Sequence, residues 1–310
     1  MSGAKTWERD LPIKRALLLV NTGSRRGAEG IDAALDGLKA AGIAVVRPQL
    51  ASSADIGAAI QAHRDQVDAV ILGGGDGTMN AAAEALVDTG LPFGILPLGT
   101  ANDLARVLGI PPDPVAATQI IVTGRRRRID IGRANERLFF NIATIGLSAR
   151  LAASMNRETK RWFGALAYPL TLIRVGMGTP FHVRIRANGQ TTEQIAIQIA
   201  VGNGRYHGGG IVVHEAAAID DGVLHLYALA PQSAWALLRR LPWLLRGQHR
   251  DTPGVTTITA DRIEVETNKR LKINTDGELT THTPVSFAVL PRALEVFAPD
   301  DAGDASESVA

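Results

Sequence analysis

The residues Val70-Ile-Leu-Gly-Gly-Gly-Asp-Gly-Thr-Met-Asn80 are the most informative part of this chain. Their apolar start, which ends at Leu72, is typical of a buried strand, and the residues from Thr78 onward are typical of a helix. The glycines therefore fall on the turn between strand and helix. Glycine lets the backbone approach an anion without a side chain in the way, and a helix start offers N–H groups and a positive dipole end. We predict that phosphate binds at this turn.

Asp76 lies inside this otherwise anion-friendly turn. A carboxylate repels a polyphosphate unless it holds a metal or takes a hydroxyl proton, so Asp76 favours a nucleotide bound together with a magnesium ion. The alternative is a merely tight turn, because short glycine motifs often match by accident.

A second polar helix start follows along the chain. Phe93 to Pro97 is again a short apolar strand, and Gly99-Thr-Ala-Asn-Asp103 again opens a helix, which Gly109 and Pro111 then end. Two such helix starts at successive strand ends would line one crevice, where open parallel sheets bind ligands. The second motif therefore strengthens the prediction of a nucleotide site.

Composition restricts the class of protein. The chain has 310 residues, of which 45% are hydrophobic and 21% are charged, values typical of a globular protein with one or two domains. Cysteine is absent, which excludes disulfides and thiolate metal sites and fits a reducing compartment. The first ten residues lack the apolar core of a signal peptide, so we expect a cytoplasmic protein. A net charge of +2 does not indicate nucleic-acid binding, and none is expected.

The densest charge run is Arg125-Arg-Arg-Arg128. It is interpreted as a solvated connection before a strand, with a phosphate or anionic-lipid contact as the alternative. No aromatic residue alternates with these arginines, which counts against a single-stranded nucleic-acid platform.

Two kinds of secondary-structure pattern divide the chain. As far as Gly109, β and α patterns alternate, which predicts a parallel sheet with helices on both faces. From Ile129 onward the pattern is one of successive strands, with a hairpin at Asn188-Gly189, and predicts an antiparallel β-sandwich or a partly open barrel. The predicted strands include Leu138 to Ile142, Gln194 to Val201, Val285 to Val289 and Leu294 to Phe297. We predict an α/β plus all-β protein, with an N-terminal parallel-sheet α/β nucleotide-binding domain over residues 11–128, a C-terminal antiparallel β-sandwich domain over 129–290, and a disordered acidic tail over 300–310.

The two glycine motifs carry a specific resemblance. Gly74 to Asn80, followed by Pro97 to Asp103, resembles the diacylglycerol kinase catalytic family, particularly its bacterial lipid kinases, with sphingosine and ceramide kinases as relatives. No Gly-Lys-Ser/Thr follows the glycines, so this is not a Walker A loop. NAD kinases share the Gly-Gly-Asp-Gly core but continue differently. The resemblance implies an ATP- and Mg²⁺-dependent lipid kinase, in which residues from about 291 to 299 return to the first domain.

Carried over residue by residue, the resemblance implies a set of nucleotide-binding positions. Asn21 and Ser24 occupy the place of the family's Asn-Pro-x-Ser-Gly loop, although Thr22 and Arg25 depart from that pattern. The full set is Asn21, Ser24, Gly74, Gly75, Asp76, Gly77, Thr78, Met79, Asn80, Gly99, Thr100, Asn102 and Asp103.

Two further motifs lie in the second half. Ile273-Asn-Thr-Asp-Gly-Glu278 resembles the family's Asp-Gly-Glu motif, in which a carboxylate takes the proton of the lipid hydroxyl, so Asp276 and Glu278 are both candidates for the catalytic base. Ile219-Asp-Asp-Gly-Val-Leu224 resembles a family loop that holds a structural magnesium. The ligands implied here are the Asp221 carboxylate and the carbonyls of Ala218 and Val223, and a metal-free turn is the alternative.

Residues 160–174 and 233–246 combine Trp, Leu and Arg. This composition is typical of segments that lie in a membrane interface, and equally of amphipathic helices that cover a sheet. The expected partners are a nucleotide and a lipid substrate at a membrane surface, with peripheral membrane contact; a homodimer stays open.

Two other functions are alternatives: an NAD kinase-like enzyme, and a non-catalytic nucleotide-binding regulator at the membrane. The intact Asp276 and Glu278 disfavour the regulator, because a pure binder needs no base.

Overall fold

The structure is a computed structural model that describes residues 13–20, 27–147, 149, 179–204, 206–207, 211–212, 218–231 and 254–299. It divides into two compact units, Met1–Ile129 with Arg292–Ala310, and Asp130–Pro291. The predicted nucleotide contacts Asn21 and Ser24, the two Trp-, Leu- and Arg-rich segments and the predicted tail lie outside the described residues.

The helices are α1 (Gly27–Ala40), α2 (Ile56–His63), α3 (Asp76–Thr89), α4 (Asp103–Val107) and α5 (Pro114–Thr123), with a 3₁₀ turn at Ser53–Asp55. The strands are β1 (Arg15–Val20), β2 (Ala44–Val46), β3 (Ala69–Gly74), β4 (Phe93–Pro97), β5 (Arg126–Ala134), β6 (Arg137–Phe139), β7 (Ile142–Gly146), β8 (Phe181–Ala187), β9 (Gln190–Ala196), β10 (Gln198–Gly202), β11 (Tyr206–His207), β12 (Ile211–Val212), β13 (Leu224–Leu229), β14 (Val255–Ala260), β15 (Arg262–Thr267), β16 (Lys272–Thr275), β17 (Glu278–His282) and β18 (Val285–Phe297).

The first unit is built on a parallel sheet in the order β2-β1-β3-β4, and the end of β18 adds to it through Val296 opposite Phe93. All six residues of β3 are buried, as are all five of β4. A strand covered on both faces has no need of polar alternation, which is why these strands read as continuous apolar runs. The parallel register sets Gly73 opposite Leu96 and Gly74 opposite Pro97, so both strands end at the same edge.

Helix α5 is not predicted in the sequence analysis, although its signals are present. Asp113 caps its first turn by accepting a hydrogen bond from the N–H of Ala116, Pro114 occupies the first helical position, and Gly124 ends it in the left-handed region. The arginine run that follows is only partly the expected solvated connection, because Arg125 and Arg128 are exposed but the run enters the sheet. Arg126 already belongs to β5, and its side chain is only 11% exposed because it stacks on Phe297 and lies 3.9 Å from the Glu295 carboxylate.

The second unit has a six-stranded antiparallel sheet in the order β14-β13-β10-β7-β16-β17 and a second antiparallel set, β18-β15-β8-β9. One apolar core contains side chains from both, among them Ile145 and Ile199 from the first and Phe181 and Phe287 from the second. The predicted fold class, a parallel α/β domain followed by an antiparallel sandwich, is confirmed.

Four of the predicted strands have different bounds in the structure. The run from Gln194 to Val201 is divided at Ile197, because β9 pairs with β8 whereas β10 pairs with strands of the six-stranded sheet. The run from Leu138 to Ile142 is divided after Phe139. Conversely, the two strands predicted at Val285 to Val289 and Leu294 to Phe297 are one strand, β18. Among the described residues, no helix has the length and apolar character needed to cross a membrane.

Candidate active site

The two glycine turns of the first unit pack directly against each other. A Cβ atom built on Gly75 would lie 3.1 Å from the Cα of Gly99, and one built on Gly99 would lie 2.5 Å from the Cα of Gly75. Backbone therefore touches backbone, and neither position has room for a side chain. The turns after β3 and β4 thus form one cradle, as the adjacent positions of the two strands in a parallel sheet require.

Asn102 shapes the second turn. Its Oδ1 accepts a hydrogen bond from the Gly99 N–H at 3.0 Å, and its Nδ2 donates to the Gly99 carbonyl at 3.0 Å. Asn102 itself has a φ of 49°, which Asn tolerates better than most residues. This closed ring leaves Gly99 and Thr100 exposed at the surface, so their backbone is accessible to a ligand.

Helix α3 begins at Asp76, two residues earlier than the sequence predicts. Asp76 therefore belongs to the first helical turn, and its Oδ1 accepts a hydrogen bond from the Leu104 N–H at 3.3 Å. Burial raises the pKa of the Asp76 carboxyl above its ordinary value, and the negative charge of Asp103 raises it further. Asp103 in turn forms an ion pair with Arg106 at 3.2 Å. Two carboxylates thus share one side of the cradle.

The following residues of α3 differ in what they can contact. Met79 is 2% exposed and Thr78 is 3% exposed, so Met79 packs into the core and Thr78 lies beneath Gly74. The Oδ1 atom of Asn80 is buried and has no hydrogen-bond partner among the described residues. Since α3 also begins without a side-chain cap, this end of the helix retains polar groups that a bound nucleotide and its cation could satisfy.

In the second unit, Asp276 and Glu278 have different surroundings although only one residue separates them. The Asp276 carboxylate accepts backbone hydrogen bonds from Phe140 at 2.7 Å, Asn141 at 3.0 Å and Ile142 at 2.9 Å. These bonds turn the chain between β6 and β7, which is why the predicted strand is divided there. Glu278 is exposed, and although its backbone pairs with Thr275, its carboxylate forms no hydrogen bond or ion pair with a described residue. The structure thus gives Asp276 a local architectural role and leaves Glu278 accessible.

In the loop that contains Asp221, hydrogen bonds already use the carboxylate that is predicted to bind a metal. Ala218 and Val223, the other two predicted ligands, each donate a backbone N–H to the Asp221 carboxylate, at 3.0 and 3.1 Å. His225 Nε2 lies 2.9 Å from the same carboxylate. Three donors thus use most of the acceptor capacity of the carboxylate that should face a cation, so Asp221 is a poor fit for a bound metal in this arrangement.

Three residues that are not among the predicted site residues lie beside the Asp276 turn or the Asp221 loop: Asp130, Asn203 and His225. Asp130, 1% exposed, accepts a hydrogen bond from the Gly222 N–H at 2.7 Å. Asn203, also 1% exposed, donates to the carbonyls of Asp130 and Phe140, both at 3.0 Å. Asp130 and His225 could have been found from the sequence, because each is a polar residue inside an apolar strand, and a buried polar side chain requires a hydrogen-bond partner.

Two family profiles match this chain. The diacylglycerol kinase catalytic domain matches residues 15–134, and the YegS C-terminal NAD kinase beta sandwich-like domain matches residues 141–298. Together they include every candidate site residue described above.

Individual relatives agree with these profiles. A probable lipid kinase YegS-like protein of Klebsiella pneumoniae is 34% identical over 239 residues, which are 76% of this chain and 79% of that protein. A diacylglycerol kinase of Mycobacterium tuberculosis is 32% identical over 243 residues, covering 75% and 77% of the two chains. A crystal structure of a diacylglycerol kinase from Bacillus anthracis is similar with a TM-score of 0.79 and 26% identity, covering 94% of this chain and 99% of that one.

Proposed function

Because this chain belongs to the diacylglycerol kinase catalytic family, as its motifs predicted, we propose that it transfers the γ-phosphate of ATP to a hydroxyl group of a lipid. The observation that carries the proposal is the backbone contact between Gly75 and Gly99. It supports a single anion cradle made of two turns, which suits a triphosphate better than one isolated glycine turn would.

The nucleotide is assigned to this cradle. N–H groups in the first turn of α3 and at Thr100 would donate to phosphate oxygens, and the small residues there let the backbone approach them. Asn80 supports the assignment because its buried Oδ1 lacks a partner among the described residues. The role of Asn21 and Ser24 stays a prediction.

A magnesium ion fits the same side of the cradle. Asp76 and Asp103 are close enough for the charge of one to raise the pKa of the other, and a divalent cation would relieve that repulsion. When bound, the ion would neutralise charge that develops on the phosphates during transfer. Arg106 would keep Asp103 oriented through the ion pair between them.

Glu278 is proposed as the general base. Its exposed carboxylate is free to accept the proton of an incoming hydroxyl group, whereas the Asp276 carboxylate already accepts three backbone hydrogen bonds. Asp276 would then be a positioning residue, because the tight Asp276-Gly277 turn sets where β17 and Glu278 begin. This separates the roles of two carboxylates that their motif alone leaves equivalent.

The substrate class is the least specific part of the proposal. Diacylglycerol, a sphingoid base and ceramide all present a hydroxyl group at a membrane surface, and each is compatible with the family. We propose peripheral membrane contact on this ground, with the segments at residues 160–174 and 233–246 as candidates because they combine Trp, Leu and Arg.

The test is a transfer assay with γ-labelled ATP, Mg²⁺ and the full-length protein. Separate reactions contain vesicles with diacylglycerol, with a sphingoid base or with ceramide, and one contains soluble NAD instead. We expect label in one of the lipids. Glu278→Gln should reduce transfer about a hundredfold or more, as loss of a general base does, while leaving ATP binding intact.

Two outcomes would replace the proposal. Label in NAD would favour an NAD kinase-like enzyme, and ATP binding without transfer to any acceptor would favour a regulator. If Glu278→Gln transfers phosphate at the wild-type rate, Glu278 is not the base, whichever lipid is phosphorylated. Asp76→Asn is the companion variant, for which we expect weaker binding of Mg-ATP.

A further inference from the structure

We propose that His225 takes the place of a divalent cation in the Asp221 loop of this protein. The loop would then keep its shape through hydrogen bonds alone, without magnesium. This inference does not depend on the proposed function, because it concerns a loop that can be studied without ATP or lipid.

The Asp221 carboxylate is already occupied by hydrogen-bond donors. Its Oδ2 accepts the Ala218 N–H at 3.0 Å and lies 2.9 Å from His225 Nε2, so both lone pairs of that oxygen are used. Its Oδ1 accepts the Val223 N–H at 3.1 Å. Three of the roughly four lone-pair positions of the carboxylate are therefore taken, and a magnesium ion could reach only the remaining one, on Oδ1, next to N–H hydrogens whose partial charge has the same sign as the ion.

His225 is also held in position from its other side. It lies on β13 directly opposite Thr259 on β14, and its Nδ1 is 3.3 Å from the Thr259 hydroxyl. A carboxylate accepts, so Nε2 donates to Asp221, and the Thr259 hydroxyl, which can donate or accept, is the partner of Nδ1. The imidazole side chain is 9% exposed. His225 therefore has a hydrogen-bond partner on each ring nitrogen, and one of these partners is Asp221.

The loop has a second anchor that likewise needs no metal. The Gly222 N–H donates to the buried Asp130 carboxylate at 2.7 Å, and the Asp130 N–H donates to the Ile219 carbonyl at 2.8 Å. Strand β5 thus holds the loop from one side and β13 from the other.

The experiment compares thermal unfolding in EDTA and in millimolar Mg²⁺ without nucleotide, using the full chain carrying Asp76→Asn so that the cradle contributes little. We expect the same Tm in both solutions. In the same background, His225→Asp should restore a cation site and give a Tm that rises by about 3 °C or more in Mg²⁺, the shift expected when the ion is well above its Kd.

Two variants serve as controls. His225→Gln, whose side-chain amide can still donate to Asp221, should stay insensitive to Mg²⁺, and so should His182→Ala, which removes an exposed histidine of the same unit. The proposal is overturned if Mg²⁺ raises the Tm of the protein with His225 intact and Asp221→Asn abolishes that rise. It is also overturned if His225→Asp responds to Mg²⁺ no differently from the protein with His225 intact, whether both shift or neither does.

Discussion

The most discriminating prediction concerns the two neighbouring carboxylates, Asp276 and Glu278, each changed to its own amide. In Asp276→Asn the oxygen that accepts from Asn141 and Ile142 can be kept, but an NH₂ group then faces the Phe140 N–H. One charge-assisted bond of 2.7 Å is lost and one buried N–H is left without an acceptor. Bonds to charged groups are worth about 1.5–3 kcal/mol each, so we expect the free energy of unfolding to fall by about 2 kcal/mol.

The matched change Glu278→Gln removes a charge of equal size from an exposed side chain. Because no described residue contacts that carboxylate through a hydrogen bond or ion pair, the free energy of unfolding should change by no more than about 0.5 kcal/mol. For a chain of 310 residues the Asp276→Asn loss corresponds to a fall in Tm of about 3 °C.

Thermal and urea unfolding of both variants, together with the transfer assay, check this assignment. Asp276→Asn should be unstable and Glu278→Gln should be stable but inactive. The assignment is refuted if Asp276→Asn unfolds at the wild-type midpoint, because its three backbone bonds would then contribute nothing. It is equally refuted if Glu278→Gln is the destabilised variant.

Three further predictions concern the first unit. Gly99→Ala forces a Cβ to 2.5 Å from the Gly75 backbone, so it should lower the free energy of unfolding by about 1–3 kcal/mol and weaken binding of an ATP analogue. The control is Gly57→Ala, whose Cβ would be 3.5 Å from its nearest neighbour and which should have neither effect. Equal Tm values for the two variants would contradict this prediction. Asp76→Asn should raise the free energy of unfolding at neutral pH, because the raised pKa of Asp76 means that its charged form destabilises the folded protein. Below the ordinary pKa of aspartate the change should have little effect, because Asp76 is then protonated in both the folded and the unfolded chain. Melting curves across pH 3 to 8 test whether the stabilisation appears as the pH rises. Asp113→Ala removes the cap of α5 and should cost about 1 kcal/mol in urea unfolding, while Asp113→Asn should retain most of that stability.

Local patterns in the sequence were sufficient for most of the architecture. The buried strands β3 and β4, the glycine turns and the Asn188-Gly189 hairpin follow from residues that are neighbours in the chain, because apolar runs, helix starts and turn residues act over a few positions. The family also follows from two short motifs. The missed helix α5 had local signals as well, in Asp113, Pro114 and Gly124.

What the sequence could not decide depends on residues far apart in the chain. Asp276 meets Phe140 across 136 positions, and Asp130 meets Gly222 across 92. Side chains of the same type, such as Asp276 and Glu278, acquire different roles only when folding brings donors to one and leaves the other exposed.

The Asp221 loop follows the same principle. Its motif predicts a cation, yet the burial of His225 beside Asp221 supplies a hydrogen-bond donor where a cation was expected. Motifs therefore determined the family and the local elements of the fold. Tertiary contacts determined which carboxylates are already satisfied, since a carboxylate's chemistry depends on the partners that surround it.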